Sequence, residues 1–399
     1  MMKTGKATTA FHANLWKMYL FRFFVSLHFI GGVLVPFFTD WAGLTLTQVL
    51  ILQSWFMLCI LLLEVPSGAF ADFVGRKQSL ILACGVNAAA AWVYASRPDF
   101  SIFMLGEALF ALSAALLSGA SEAFIYDTLE EISESDKSKR VFGRISSLGL
   151  AGIMVAAPIG SVLGAELGLR MPMLLLVVPF TVAFAIALTF KEPARTRKTG
   201  QYSYAALLRD GVTHFIKHRV LRILALDMIV IATIAYFLIW FYQPMLKQAG
   251  VDVAYFGIVH AAFAGSQILV MTNYGRLERI FGSKRRLIMI SSAITGITFI
   301  IGGLTTFLPV VLLVIIVGGG FGLSRRPLFV SCMNKYLPSS SRATALSTVS
   351  MLRTLALIVI NPVVGVLADW SLSNTLVILG VIAIVFSLIS RVEESHLID

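Results

Sequence analysis

Gly68-Ala-Phe-Ala-Asp72-Phe-Val-Gly75-Arg76-Lys77 recurs 207 residues later as Gly275-Arg-Leu-Glu-Arg279-Ile-Phe-Gly282-Ser283-Lys284, with both glycines and the final lysine in register. The first copy ends an apolar run over 47–71 and the second ends one over 253–274. A short polar loop repeated at the same place in two halves predicts an internally duplicated chain. Working outward from the two copies gives twelve apolar runs near the spanning length: 15–38, 47–71, 79–96, 101–126, 142–164, 171–190, 221–246, 253–274, 287–307, 309–333, 342–367 and 372–390. A membrane-crossing helix needs about 20 such residues. The narrowest gap is Thr305 to Pro309, where Pro309 suits the first turn of the next helix.

Composition agrees with this division. The chain has 399 residues, 58% of them hydrophobic and only 13% charged, and its mean hydropathy is +0.86. Soluble domains carry about 25% charged residues, so a water-soluble protein is excluded. The formal charge of +11 does not indicate a nucleic-acid binder, because the basic residues punctuate the apolar runs rather than forming one face. With the amino terminus inside, 22 Lys and Arg fall in inside segments, against Arg97, Arg170 and Lys247 outside. That asymmetry predicts cytoplasmic amino and carboxyl termini. The first run continues past Lys3, Lys6 and Lys17 without a small-residue cleavage site, and reads as a retained helix. Cys59, Cys84 and Cys332 all lie in apolar runs and form no disulfide framework.

The longest inside loop, 191–219, carries Arg195, Arg197, Lys198, Lys217 and Arg219 and separates six runs from six. The predicted architecture is therefore an all-α membrane protein of twelve transmembrane helices in two pseudo-symmetric bundles. These are residues 1–190 and 220–399, with 191–219 as a cytoplasmic linker. Such parallel halves with a site between them are a transporter plan.

Ionisable residues inside the runs are costly and should face a cavity or a partner. They are Arg22 and His28 in the first run, Glu64 in the second, Glu107 and Glu122 in the fourth, Asp227 in the seventh, His260 in the eighth, Arg325 and Arg326 in the tenth, and Arg353 in the eleventh. The third, sixth, ninth and twelfth runs have none. Glu107 and Glu122 lie about 60° apart around one helix, so both fit a shared cavity face at different depths. A poorly hydrated carboxyl is costly to ionise, as a proton-coupling site requires, making Glu107, Glu122 and Asp227 the coupling candidates. Permanent pairing is the competing reading, for example Glu64 with Arg22, Glu122 with Arg22, or Asp227 with Arg325 or Arg326. Arg22, His28, Glu64, Arg325, Arg326 and Arg353 are the substrate-cavity candidates. For the arginines an anion clamp competes with pairing and snorkelling. Gly318-Gly319-Gly320-Phe321-Gly322 permits close packing but is no phosphate loop, which argues against a nucleotide-driven pump. No carboxylate or cysteine stands at helical spacing from His28, so no metal is called for, and no cofactor either. No nucleophile and base occur at an enzyme-like spacing. Trp240, Phe241 and Tyr242 read as an interfacial belt.

The Gly68–Lys77 loop, between the second and third runs of a six-plus-six chain, resembles the signature loop of the major facilitator superfamily. Glu64-Val65-Pro66-Ser67-Gly68 and the stretch from Ser118-Gly119-Ala120-Ser121-Glu122-Ala123 to Tyr126-Asp127 resemble a bacterial branch of it. The resemblance implies the twelve-helix fold and secondary transport by alternating access. It also implies a cytoplasmic latch built from Gly68, Asp72, Gly75, Arg76, Lys77 and Asp127, favouring the outward-facing state. Arg279 replaces the aspartate in the second copy, which leaves that latch degenerate. Pro158-Ile-Gly160 and Gly164 partly match the helix motif of superfamily exporters, with Ala157 where a glycine is usual.

The expected function is proton-coupled transport of a small organic solute across the inner (plasma) membrane. Efflux of an amphipathic compound is preferred, with transport of an organic anion as the alternative. A transporter-like sensor or lipid-handling protein is the reading of a different class. Expected partners are the small-molecule substrate, protons and the lipid bilayer, with no nucleic acid and the chain acting as a monomer.

Overall fold

The computed structural model describes residues 2–193, 212–213, 215–337 and 342–397, with side chains from Phe11 onward except at 343 and 344. Most of the 191–219 linker, including Arg195, Arg197 and Lys198, lies outside the described residues. Every regular element described is helical. The main helices are α1 (Met2–Val25), α2 (Leu46–Phe73), α3 (Arg76–Tyr94), α4 (Phe100–Glu131), α5 (Ser138–Leu167) and α6 (Arg170–Leu188). They continue with α7 (Arg219–Gln248), α8 (Phe256–Thr272), α9 (Tyr274–Phe281), α10 (Lys284–Leu304), α11 (Leu308–Leu323), α12 (Arg326–Lys335), α13 (Arg342–Trp370) and α14 (Leu372–Ile389).

Among the described residues ten helices are long and apolar enough to span a membrane. Counting the bent pair Phe11–Gly32 and Leu34–Trp41, which meet at 65°, makes eleven. The chain is a multi-pass membrane protein. The third run forms α3, but its Arg76-Lys77-Gln78 start and Asn87 dilute its hydropathy, and it is not among the ten.

Helix starts follow the local sequence. The Thr45 hydroxyl accepts from the Gln48 amide at 3.2 Å while the Gln48 side chain accepts from the Thr45 amide at 3.0 Å, closing a capping box on α2. Asp99 caps α4, Ser283 caps α10 and Ser371 caps α14. Pro309 sits in the first turn of α11, as the sequence requires.

Two breaks differ from the sequence reading. The first run is not one helix: α1 stops at Val25, and His28 precedes a 3₁₀ turn, Phe29–Gly32. His28 is therefore in the break and not in mid-helix. The tenth run divides at Ser324-Arg325, where the chain meets Arg326-Pro327 after its glycine run; Pro327 has no amide to continue the ladder and starts α12.

The chain divides into two compact units, Met1–Lys198 with Val253–Ala261, and Thr199–Asp252 with Ala262–Asp399. The start of α8 thus belongs with the first unit. In that unit Phe21, Leu80, Phe124, Leu129 and Phe190 form a buried core. Asn14, 1% exposed, exchanges two hydrogen bonds with the Lys191 backbone (2.8 and 3.0 Å), fastening α1 to the end of α6. In the second unit Leu224, Met228, Phe329, Met333 and Val349 form the corresponding core. Trp240, Phe241 and Tyr242 are buried within α7, Tyr242 stacking on Phe263 at 5.6 Å. They are core residues, not an exposed belt.

Candidate functional site

The signature loop is shorter than its motif. α2 runs through Phe73, so Gly68 and Asp72 are helical and Asp72 is exposed. A side chain at Gly68 would meet open space, so no close helix approach requires a glycine there. Gly75 is different: its φ of 140° is one that L residues rarely adopt, and it turns the chain into α3. Its counterpart Gly282 has φ 85° before α10. The Arg76 guanidinium pairs with the Asp127 carboxylate at the end of α4 and donates to the Ala123 carbonyl at 2.7 Å.

A residue that sequence reasoning missed completes the cluster. Glu192, just past α6, accepts from the amides of Arg76 (2.9 Å) and Lys77 (2.7 Å), occupying the orphan donors of α3. In the second unit Glu394, just past α14, accepts from the amides of Lys284 (3.1 Å) and Arg285 (2.8 Å) at the start of α10. Burial opposes ionisation of Glu394, but these amides and the Ser283 hydroxyl outweigh it and hold the carboxyl below its ordinary range. The available signal was an acid shortly after the apolar runs that end at 190 and 390.

Glu107 is 6% exposed, between α2, α3 and α4. Gln53 donates to its Oε1 at 2.8 Å. The Tyr94 hydroxyl neighbours the carboxyl but makes no hydrogen bond of ordinary geometry. Trp55 donates to the Met104 carbonyl at 2.9 Å, fixing α2 on α4. Around Tyr94 stand Phe37, Phe38, Phe103 and Phe110, the Phe103 ring stacked at 5.2 Å. Among the described residues no Lys, Arg or His forms an ion pair with Glu107. It therefore sits inside the helix packing with neutral partners, not on an open cavity wall. Glu64 and Glu122 are exposed. Neither pairs with Arg22, whose guanidinium instead lies against Gly149 of α5.

Close backbone contact replaces side chains where the first helix breaks. A Cβ at Gly160 would overlap the Phe29 carbonyl, giving the exporter-like Pro158-Ile-Gly160 stretch a steric reason. His28 packs edge-on to Phe180 at 6.2 Å, and the His260 ring lies over Gly31. Among the described residues no three His, Cys, Asp or Glu form a group able to hold a metal.

In the second unit Asp227 and Arg325 are both 3% exposed at the side chain and pair at 2.7 Å. Ser390 donates to the other Asp227 oxygen at 2.6 Å. The Arg325 guanidinium also lies over the Phe329 ring, 5.2 Å from its centroid. This is the competing pairing reading of Asp227 with Arg325: Asp227 is a paired acid with both oxygens occupied, and Arg325 is enclosed rather than open to a substrate. Arg326 is exposed and reaches the Ser350 hydroxyl at 3.4 Å. Arg353, half-buried, stands within its electrostatic range, and the Arg353 Nε has no hydrogen-bond partner among the described residues.

The family model described as Major Facilitator Superfamily matches residues 18–359 and 228–396. The chain belongs to the major facilitator superfamily. Quinolone resistance protein NorA of Staphylococcus aureus is 25% identical over 160 residues, 39% of this chain and 40% of that protein, so the match spans two-fifths of the relative's length. Among solved superfamily structures, the nucleoside transporter NupG aligns with a TM-score of 0.77 at 16% identity, covering 94% of this chain and 98% of that one. A bacterial homologue of the human lysosomal transporter Spinster, in an inward-facing, occupied conformation, aligns at 0.75 and 16%, covering 97% and 98%. At these identities the structural likeness establishes the superfamily fold. It carries no substrate.

Proposed function

We propose that this superfamily member is a proton-coupled exporter of a small amphipathic organic compound, working by alternating access in the inner membrane with twelve spans and both termini in the cytoplasm. Glu107 carries the reading. A carboxyl nine-tenths buried and held by the neutral amide of Gln53 has no compensating cation among the described residues, so its charge is costly and proton uptake removes that cost. The partial match to NorA supports export. Counterflow in proteoliposomes tests the reading, with a quinolone, a lipophilic cation, a nucleoside and a dicarboxylate as the panel. Export of an amphiphile predicts exchange of the quinolone or the cation. No counterflow with any compound would leave the sensor or lipid-handling class in its place.

The organic-anion reading is favoured by one observation, the adjacent Arg326 and Arg353 with an unsatisfied Nε. If the dicarboxylate exchanges, Arg326→Gln and Arg353→Gln should each weaken its binding at least about tenfold, because a charge-assisted hydrogen bond contributes about 1.5–3 kcal/mol. Under the amphiphile reading both changes leave affinity within about twofold, a difference of less than 0.5 kcal/mol.

The latch belongs to the same proposal. Arg76→Ala removes the partner of Asp127, and Asp72→Asn removes the other acid of the motif. Either should slow transport about tenfold or more while substrate still binds, since a 1.4 kcal/mol change in conformational balance is already a factor of ten. Transport assays beside binding titrations read this directly, and wild-type rates in both variants would remove the latch from the account.

A further inference from the structure

Three arginines meet in a part of the second unit that the transport reading does not use. Arg219 opens α7, Arg285 lies in the first turn of α10, and Arg391 follows the end of α14 by two residues. Together with Ser390, Glu393 and His396 they line one half-open cavity of about 470 Å³, whose apolar wall includes Val220 and Ile223. Among the described residues none of the three guanidiniums forms an ion pair or hydrogen bond. The single acid on the wall, Glu393, is already engaged with the Ser395 hydroxyl and in the turn closed by His396.

The helix amides do not account for this charge. Those of Lys284 and Arg285 at the start of α10 are taken by Glu394, so side-chain guanidiniums are what the cavity offers. Three arginines against one acid leave an excess of positive charge in a recess. It lies where three apolar helices end, the depth at which lipid headgroups reside. Guanidinium forks match phosphate oxygens in paired hydrogen bonds, and Arg suits such planar recognition better than Lys. The apolar wall beside the charges fits the glycerol end of a lipid.

We propose that this cavity binds a phosphate group, supplied by an anionic lipid headgroup or by a free phosphate. The site lies outside the Glu107 region and stands whether or not the export reading does. Ser390 lines it while donating to Asp227, so an occupant would sit one hydrogen bond from the buried pair that joins α7 to the start of α12.

The test uses the full chain, purified and delipidated in detergent, with bound ligand counted by native mass spectrometry and affinity read from thermal-unfolding titrations. The probes are phosphatidylglycerol, cardiolipin, phosphatidylcholine as the zwitterionic control, and inorganic phosphate and pyrophosphate. The wild type should bind an anionic probe in preference to phosphatidylcholine. The triple variant Arg219→Gln, Arg285→Gln, Arg391→Gln should weaken that binding at least about tenfold, while Arg144→Gln, an exposed basic residue of α5, changes it less than twofold. Binding of phosphatidylglycerol or cardiolipin without binding of phosphate or pyrophosphate assigns a lipid source; the reverse assigns a soluble one. Should the triple variant not fold, Arg391→Gln alone, outside any helix, should weaken binding about threefold or more. Wild-type affinity in these variants, or a wild type that binds no anionic probe, overturns the proposal.

Discussion

Asp227→Ala should lower the unfolding free energy of the second unit by about 3–5 kcal/mol, enough to reduce the yield of folded protein sharply. The loss exceeds the value of the ion pair itself. Arg325 is 3% exposed, and its Nε and one terminal nitrogen already lack hydrogen-bond partners among the described residues, so removing the aspartate strands a buried cation. The Ser390 hydroxyl loses its acceptor at the same time. Arg325→Ala should cost a similar amount by stranding Asp227. The double variant Asp227→Leu, Arg325→Met removes both charges and should recover most of the loss, because well-packed apolar replacements of a buried pair are often neutral or better. Thermal unfolding, in one detergent, of the wild type, Asp227→Leu, Arg325→Met and the double variant gives the cycle. Additive losses in the double variant would mean that the two residues act separately.

The second large effect is steric. Gly160→Val places two methyl groups and a Cβ where the Phe29 carbonyl already lies, and that atom is backbone that cannot rotate away. Overpacking of this kind costs about 1–3 kcal/mol and can cost more when backbone must shift. Separation of α5 from the Phe29–Gly32 turn should lower thermal stability by several degrees and abolish transport. Gly68→Ala is the internal comparison: its added methyl enters open space, so stability should hold and any transport loss would concern the latch and not packing. Equal stability in Gly160→Val and wild type would show that the close approach is not required.

How far the sequence reaches is visible in these same residues. The hydropathy runs and the Gly75 and Gly282 turns give an all-helical membrane chain, because spanning length and turn geometry are written locally. Pro309 placed a boundary correctly for the same reason. Arg76 with Asp127 was legible only through the superfamily resemblance. What stayed hidden depends on contacts distant in sequence. The break at Ser26–His28 arises where glycines of another helix let backbone approach backbone, and no hydropathy window registers that. Glu192 and Glu394 read as ordinary loop acids until the helices they cap lie beside them. Trp240, Phe241 and Tyr242 carry the composition of an interfacial belt, and only the packing of α7 assigns them to the core. The spacing of Glu107 suggested a cavity face, whereas Gln53 and Tyr94, from two other helices, enclose it.

Proton coupling at Glu107 is the centre of the account, and gradient-driven transport by Glu107→Gln tests it most directly. Wild type and variant are reconstituted at equal density, and movement of a counterflow-active compound is followed with and without an imposed pH gradient. The account predicts that Glu107→Gln keeps passive exchange near the wild-type rate, because Gln fills the same space beside Gln53, but no longer moves the compound against its gradient when the pH gradient is imposed. Uphill transport by Glu107→Gln at the wild-type level, with the same pH dependence, would contradict it.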